Sequence, residues 1–200
     1  MSQFCYTICE VRVLKIKNMI YCALFAALTA VLSQIAIPVD PIPINLATLS
    51  VLLAGSLLGA KGGAVSQIVY VLLGTAGLPV FSAFRGGPGI LIGPTGGYIA
   101  GYILGAWLTG FLSERYQPHK SLQKHLYCAL CMCAGLLGCY LLGTIWFLFL
   151  TKSTLLSAVS ACILPFLPGD ALKILVATLL AVRLRPIIQK YTAPKKADHC

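Results

Sequence analysis

Long apolar runs separated by short polar loops dominate the chain. A helix needs about 20 residues to cross a hydrocarbon core of about 30 Å, so apolar runs of that length are candidate membrane spans. The runs do not alternate with a period of two, which disfavours a closed β-barrel. The pattern predicts an all-α membrane protein with six transmembrane helices. The predicted spans cover residues 18–37, 46–60, 64–81, 96–112, 126–150 and 155–184.

Two of these spans differ from a plain membrane helix. The second is short and is compatible with a re-entrant segment. The last is long and contains Pro165 and Pro168 near its start. Because proline lacks a backbone N–H and interrupts helical hydrogen bonding, we expect an unwound entry before the helix proper begins near Gly169.

Composition agrees with this class. Of the 200 residues, 58% are hydrophobic and 10% are charged, and the mean hydropathy is +0.89. Such values are typical of an integral membrane protein, and the spans leave no room between them for a soluble domain of normal size. We therefore predict a cytoplasmic extension at 1–17, one membrane domain at 18–185 and a basic cytoplasmic tail at 186–200.

The distribution of lysine and arginine predicts the orientation. Cytoplasmic loops carry an excess of these residues, and six spans place nearly all of them on one side, with Arg85 and Lys152 on the other. Both termini are thus predicted to be cytoplasmic in a multi-pass protein of the bacterial inner membrane, with the first span retained and not cleaved as a signal peptide. Nucleic-acid binding is disfavoured, because the cations are dispersed over separate loops. The predicted cytoplasmic cations are Arg12, Lys15, Lys17, Lys61, Arg115, Lys120, Lys124, Arg183, Arg185, Lys190, Lys195 and Lys196.

An acid and a base lie at the mouth of the last span. Asp170 and Lys173 are three residues apart, directly after Pro168 and Gly169. An ionised side chain at the centre of a membrane helix costs roughly 2.5 to 3.5 kcal/mol on insertion scales, so such a pair is a candidate binding site for a polar ligand. The alternative is that Asp170 caps the helix while Lys173 extends to the outer headgroups.

Two loops on the predicted outer side have unusual compositions. Residues 38–45 are rich in proline, and residues 82–94 contain Arg85 followed by four glycines. Proline makes a loop stiff, while glycine lets the backbone approach a ligand and offer N–H groups to an anion. The two loops predict a lid over an outward-facing pocket; the alternative is that they are plain turns between helices.

Cysteine and acid usage disfavours metal binding and catalysis. The nine cysteines are an odd number, and Cys128, Cys131 and Cys133 have the spacing of metal ligands without the four ligands of a zinc site. We interpret the cysteines as free thiols that pack between helices, and we expect no cofactor. An aspartyl protease needs two acids in one site, and the chain has neither a zinc-protease motif nor a complete nucleotide-binding loop.

Small residues recur at four-residue spacing on the first and fourth spans. Such spacing lets helices approach closely. On the fourth span, Gly97, Gly101 and Gly105 are predicted to pack within the bundle. On the first span, the small residues are predicted to form a stripe on one side of the helix, which either packs within the bundle or docks another protein. They are Ala23, Ala26, Ala27 and Ala30.

Three motifs together resemble the BioY family, the biotin-binding substrate-capture subunits of energy-coupling factor (ECF) transporters. The motifs are Gly77-Leu78-Pro79-Val80-Phe81, Gly93-Pro94-Thr95-Gly96-Gly97-Tyr98 and Pro168-Gly169-Asp170-x-x-Lys173. The resemblance extends from about residue 23 to residue 184. It implies a six-helix subunit that takes biotin from outside the cell and associates with a transmembrane coupling subunit and two cytoplasmic ATPases.

The resemblance also implies roles for individual residues. Asp170 and Lys173 are expected to bind the ureido head of biotin, and Arg85 to receive its carboxylate. Tyr70 or Tyr98 is expected to supply an aromatic wall.

One segment departs from the family pattern. Where the family commonly has a Thr-Leu-Gln-like segment, this chain has Asn45-Leu46-Ala47. Any contact of that glutamine is lost at Ala47, and Asn45 is a candidate substitute. The alternative function is a solitary secondary carrier or channel for a small polar or anionic solute, although a single Asp–Lys pair is a meagre relay for ions.

Overall fold

The structure, a computed structural model, describes residues 2–37, 43–115, 120–152 and 154–192. Most of this part of the chain is helical. Residues 38–42 of the first outer loop and 193–200 of the predicted tail lie outside the described residues. The helices are α1 (Ser2–Gln34), α2 (Ala47–Thr75), α3 (Pro88–Ile92), α4 (Gly96–Arg115), α5 (Ser121–Thr151), α6 (Leu155–Cys162) and α7 (Leu167–Thr192).

The chain reverses direction inside α2, at Gly59. This residue has φ +77° and ψ −176°, a conformation that glycine adopts without a Cβ clash. A Cβ added to Gly63 would lie 2.8 Å from Cα of Gly55, whereas residues eight apart in a straight helix are about 12 Å apart. The two halves of α2 are therefore antiparallel and in contact. The reversal lies where the sequence separates its second and third predicted spans.

A carboxylate from α4 supports the reversal. The backbone N–H of Ala60 donates to Oε1 of Glu114 at 3.0 Å. An acceptor at a helix start satisfies a backbone N–H that has no partner within the helix. The second half of α2 is thus capped by a residue more than 50 positions away along the chain.

The outer surface of the bundle is apolar. Met19, Leu137 and Phe149 are 71%, 60% and 80% exposed, which is expected where lipid and not water covers the surface. Among the described residues, three helices contain segments long and apolar enough to cross a membrane, judged by length and composition and with α2 counted through its reversal at Gly59. These are Ile16–Gln34, Ala47–Thr75 and Ser121–Thr151. The prediction of a mainly helical membrane protein is confirmed; the number of spans stays a prediction.

The glycines of α4 pack against α5. A Cβ added to Gly101 would lie 2.9 Å from the carbonyl oxygen of Cys139, and one added to Gly105 would lie 3.0 Å from that of Gly135. Gly97 faces the same helix, where a Cβ would lie 3.0 Å from the carbonyl oxygen of Leu142. The predicted packing of these glycines within the bundle is confirmed.

The alanines of α1 do not form one surface, and this corrects the predicted stripe. Ala26 is 1% exposed and packs in a core cluster with Tyr70, with Ala30 partly buried against the same cluster. Ala23 and Ala27 are exposed. At 3.6 residues per turn, positions 26 and 27 point about 100° apart, so the stripe crosses from the buried face to the outer face.

Short irregular elements join the helices at one end of the bundle. Strands β1 (Ala36–Ile37) and β2 (Ile44–Asn45) pair antiparallel, a feature that the all-α prediction did not include. Residues 163–166 form a turn before α7, so the predicted break is present and the helix begins at Leu167. Helices α1 and α7 extend past the predicted domain boundaries at 17 and 185, and that division stays a prediction.

Candidate functional site

A cavity of about 680 Å³, including its mouth, opens at the end of the bundle that carries these short elements. The lining comes from α2, α4, α5, α7 and the loops beside them. All six residues that the sequence nominated for ligand binding line this one cavity. They are Asn45, Tyr70, Arg85, Tyr98, Asp170 and Lys173.

Asp170 and Lys173 form an ion pair in the cavity wall, which we call the buried pair. The Lys173 ammonium lies 2.7 Å from Oδ1 of Asp170, and the two residues are 6% and 2% exposed. Residues three apart share one face of a helix, which explains why the start of α7 brings them together. Lys173 therefore points to Asp170 and not to the lipid headgroups. This excludes the alternative in which Lys173 extends to the outer headgroups.

The carboxylate of Asp170 receives hydrogen bonds from three helices. Lys173 of α7 and Thr48 of α2 donate to Oδ1, the latter at 3.4 Å. The hydroxyl of Tyr140, from α5, donates to Oδ2. A buried charge is tolerated only when it is paired and hydrogen-bonded, and these donors meet that need. Sequence reasoning missed Thr48 and Tyr140, because neither has a spacing that relates it to Asp170.

Aromatic rings form much of the remaining wall. The rings of Tyr70 and Phe81 are 5.6 Å apart in an edge-to-face arrangement, and those of Tyr70 and Tyr102 are 6.4 Å apart. The hydroxyl of Tyr98 lies 3.2 Å from Oγ1 of Thr144. Such rings offer apolar faces with polar tips, a surface that suits a ligand with both an apolar ring and polar groups.

Asn45 links β2 to the neighbouring loops. Its Nδ2 donates to Oγ of Ser82 at 2.6 Å. Its Oδ1 accepts from the backbone N–H of Ala47 at 3.1 Å and from the hydroxyl of Tyr102 at 3.4 Å. The side chain thus organises the start of α2 and one wall of the cavity. Its replacement of the family glutamine as a ligand contact stays a prediction.

Residues 78–87, which we call the Arg85 loop, bring Arg85 to the cavity. Backbone hydrogen bonds join Phe81 and Arg85 in both directions, at 2.9 and 3.3 Å. The Nε–H of Arg85 donates to the carbonyl of Ser82 at 3.3 Å. Between them, Ala83 and Phe84 have φ of +60° and +54°, which is uncommon for residues other than glycine. The loop therefore holds its shape through contacts with its surroundings.

The cysteines whose side chains the structure describes show no arrangement for a metal ion. Within the described ranges, no group of three His, Cys, Asp or Glu side chains is close enough to hold one. Cys128 and Cys131 are buried as free thiols, whereas Cys133 is exposed. The interpretation of the first two as packing residues agrees with their burial.

Comparisons with known proteins point to one family. A sequence model of the BioY family matches residues 7–190. The biotin transporter BioY of Thermotoga maritima is 39% identical over 171 residues, which cover 86% of this chain and 97% of that protein. The biotin transporter BioY of Rhizobium etli is 36% identical over 175 residues, covering 82% of this chain and 90% of that protein.

A solved structure supports the same assignment. The fold is similar to the crystal structure of the S-component for biotin from an ECF-type ABC transporter, with a TM-score of 0.76 and 30% identity over 86% of this chain and 92% of that chain. The relatives are named as transporters, so the expectation of a transporter subunit and not an enzyme is confirmed. The motifs that suggested the resemblance lie inside the matched region, and the chain belongs to the BioY family.

Proposed function

We propose that this chain is the biotin-binding S component of an ECF-type transporter and serves biotin uptake across a membrane. The observation that carries the proposal is the buried pair, held in the wall of an aromatic cavity. Relatives named as biotin transporters and an S-component for biotin with the same fold support the choice of ligand.

The chemistry of the buried pair matches the ureido head of biotin. A ureido group has two N–H donors and one carbonyl acceptor. Asp170 supplies acceptor oxygens and Lys173 supplies donors, and both residues are almost fully buried. The bicyclic ring of biotin is apolar and fits between aromatic side chains such as Tyr70 and Tyr98, which line the same cavity.

Arg85 is the proposed partner of the valerate carboxylate. It lines the cavity, and it is exposed at the mouth. Its Nε–H donates to the carbonyl of Ser82. This contact orients the guanidinium and leaves its terminal nitrogens for the ligand. Guanidinium groups bind carboxylates through two parallel hydrogen bonds, so a ligand with its ring at the buried pair and its carboxylate at the mouth satisfies both ends.

The proposed topology has six spans in the bacterial inner membrane, with both termini in the cytoplasm. The cavity then opens outward, since its end of the bundle carries Arg85, while Lys61 and Arg115 flank the reversal at the opposite end. In a background without native cysteines, an impermeant thiol reagent should label a cysteine at Lys152 and not one at Lys120 in sealed cells. Labelling at Lys120 would contradict the six-span topology.

The proposed partners are a transmembrane coupling subunit and two cytoplasmic ATPases. Their proposed docking surface on this chain is the exposed face of α1 at Ala23 and Ala27, where small side chains permit close approach of another helix. Ala23 also lines a lateral groove with Leu57 and Val65. This surface is separate from the cavity.

Titration of the purified protein with biotin tests the proposed function. The protein in detergent should bind biotin, with desthiobiotin competing and thiamine and riboflavin failing to compete. Glu114→Gln is a matched control, because it alters a carboxylate at the far end of the bundle and keeps an acceptor for Ala60. Absence of biotin binding would contradict the proposal.

A transport assay separates the S component from a solitary carrier. In a host without coupling subunits and ATPases, the proposed function predicts binding of labelled biotin by membranes with no accumulation inside the cells. Robust uptake by this chain alone would favour a secondary carrier or channel.

A further inference from the structure

We infer that Gln34, at the end of α1, is the positioning residue that holds the Arg85 loop in the shape that aims Arg85 at the carboxylate of the ligand. This inference rests on the proposed function. Gln34 does not line the cavity, so any effect on ligand binding is transmitted through the loop.

Both the oxygen and the nitrogen of the Gln34 side-chain amide form hydrogen bonds with the backbone of the Arg85 loop. Its Oε1 accepts the backbone N–H of Phe84 at 2.9 Å. Its Nε2 lies within hydrogen-bond distance of four acceptors, which are the carbonyls of Phe81 and Ala30 and Oγ of Ser33, each at 3.2 Å, and the carbonyl of Pro79 at 3.4 Å. An amide offers an acceptor and two donors in one plane. Its two N–H groups cannot serve all four acceptors fully, so the contacts with the N–H of Phe84 and the carbonyl of Phe81 carry the link to the loop.

These contacts fall where the loop has its least favourable backbone. Phe84 and its neighbour Ala83 have positive φ, a conformation that persists in such residues only when surrounding contacts hold it. Gln34 accepts the N–H of Phe84 and donates to the carbonyl of Phe81, so it spans this turn. Arg85 follows immediately, and its direction depends on the turn being kept.

The preceding residue of α1 provides a second anchor to the same loop. Oγ of Ser33 donates to the carbonyl of Val80 at 2.5 Å, and the hydroxyl of Tyr70 donates to the same carbonyl at 3.2 Å. The first part of the loop is thus fastened by Ser33 and Tyr70. Gln34 fastens the strained part next to Arg85, and so its loss should affect the mouth of the cavity more than the buried pair.

A pair of ligands that differ only at the carboxylate distinguishes positioning from general destabilisation. Biotin carries the charge, and biotin methyl ester keeps the ring and lacks the charge. Gln34→Leu, close to glutamine in size without donors or acceptors, should weaken biotin binding by about tenfold. The same variant should change the affinity for the ester by less than about threefold, because the contacts at the buried pair are unaltered.

Further variants make the comparison decisive. Arg85→Ala should reduce the preference for biotin over the ester in the same way, and Gln34→Leu combined with Arg85→Ala should lose no more than Arg85→Ala alone, since two residues that act through one contact are not additive. Gln34→Ala should give the same change in preference if leucine disturbs folding. Ile35→Ala, at an exposed neighbouring position, is the control and should leave the preference unchanged.

Several outcomes would overturn the inference. These are an unchanged preference in both Gln34 variants, an equal loss for biotin and the ester, or additive losses in the double variant. Failure of the unmodified protein to bind biotin would instead refute the proposed function, and with it the ligand on which this inference depends.

Discussion

Replacing Asp170 by asparagine tests the role of the buried pair directly. The change keeps the size of the side chain and converts one acceptor oxygen into a donor. It also removes the counter-charge that lies 2.7 Å from the ammonium of Lys173. Both residues are almost fully buried, so the ammonium is left without its charged partner in a site that solvates it poorly.

The expected magnitude follows from these contacts. A hydrogen bond to a charged group contributes about 1.5 to 3 kcal/mol, which corresponds to a loss of about 10-fold to 150-fold in biotin affinity. Leaving one member of a buried pair without its partner costs about 3 to 5 kcal/mol of stability. The variant should therefore bind biotin weakly and unfold at a lower temperature.

A second variant separates the two effects. Combining Asp170→Asn with Lys173→Met removes the stranded ammonium, so the thermal midpoint in detergent should recover while biotin affinity, measured by calorimetric titration, should not. Glu114→Gln should match the unmodified protein in affinity. Biotin binding at unmodified affinity in Asp170→Asn would refute the reasoning and return Asp170 to the role of a helix cap.

Three further predictions concern other parts of the molecule. Tyr140→Phe removes one donor to the acid of the buried pair and should lower biotin affinity by about 3-fold to 10-fold in the same titration; unchanged affinity would show that this donor is dispensable. Gly63→Leu places a side chain against Gly55 and should destabilise the protein by about 1 to 3 kcal/mol, seen as a lower thermal midpoint, and a midpoint equal to that of the unmodified protein would contradict the tight contact within α2. Ala23→Trp should block co-purification with a coupling subunit and leave biotin binding intact, whereas Ala26→Trp should overpack the core and lower yield and binding together; intact co-purification of Ala23→Trp would exclude that face as the docking surface.

The sequence by itself determined the class of protein and the local part of the site. Continuous apolar runs indicate membrane helices, because a bilayer requires length and low polarity from each span. Asp170 and Lys173 were identifiable as a pair, since residues three apart on a helix share a face whatever surrounds them. The glycines of α4 indicated close helix packing for the same local reason, and the motifs around the cavity indicated the family.

Only the tertiary structure decided which residues meet from different helices. Thr48 and Tyr140 reach Asp170 from α2 and α5, and no periodicity within one helix encodes such a meeting. In α1, Ala23 precedes Ala27 by four residues, and Ala26 precedes Ala30 by four residues. The fold nevertheless buries Ala26 in the core and leaves Ala23 exposed. The role of Gln34 could be inferred only from the structure, for the same physical reason. Its partners are backbone atoms of a distant loop, and their positions are set by the fold and not by the identity of nearby residues.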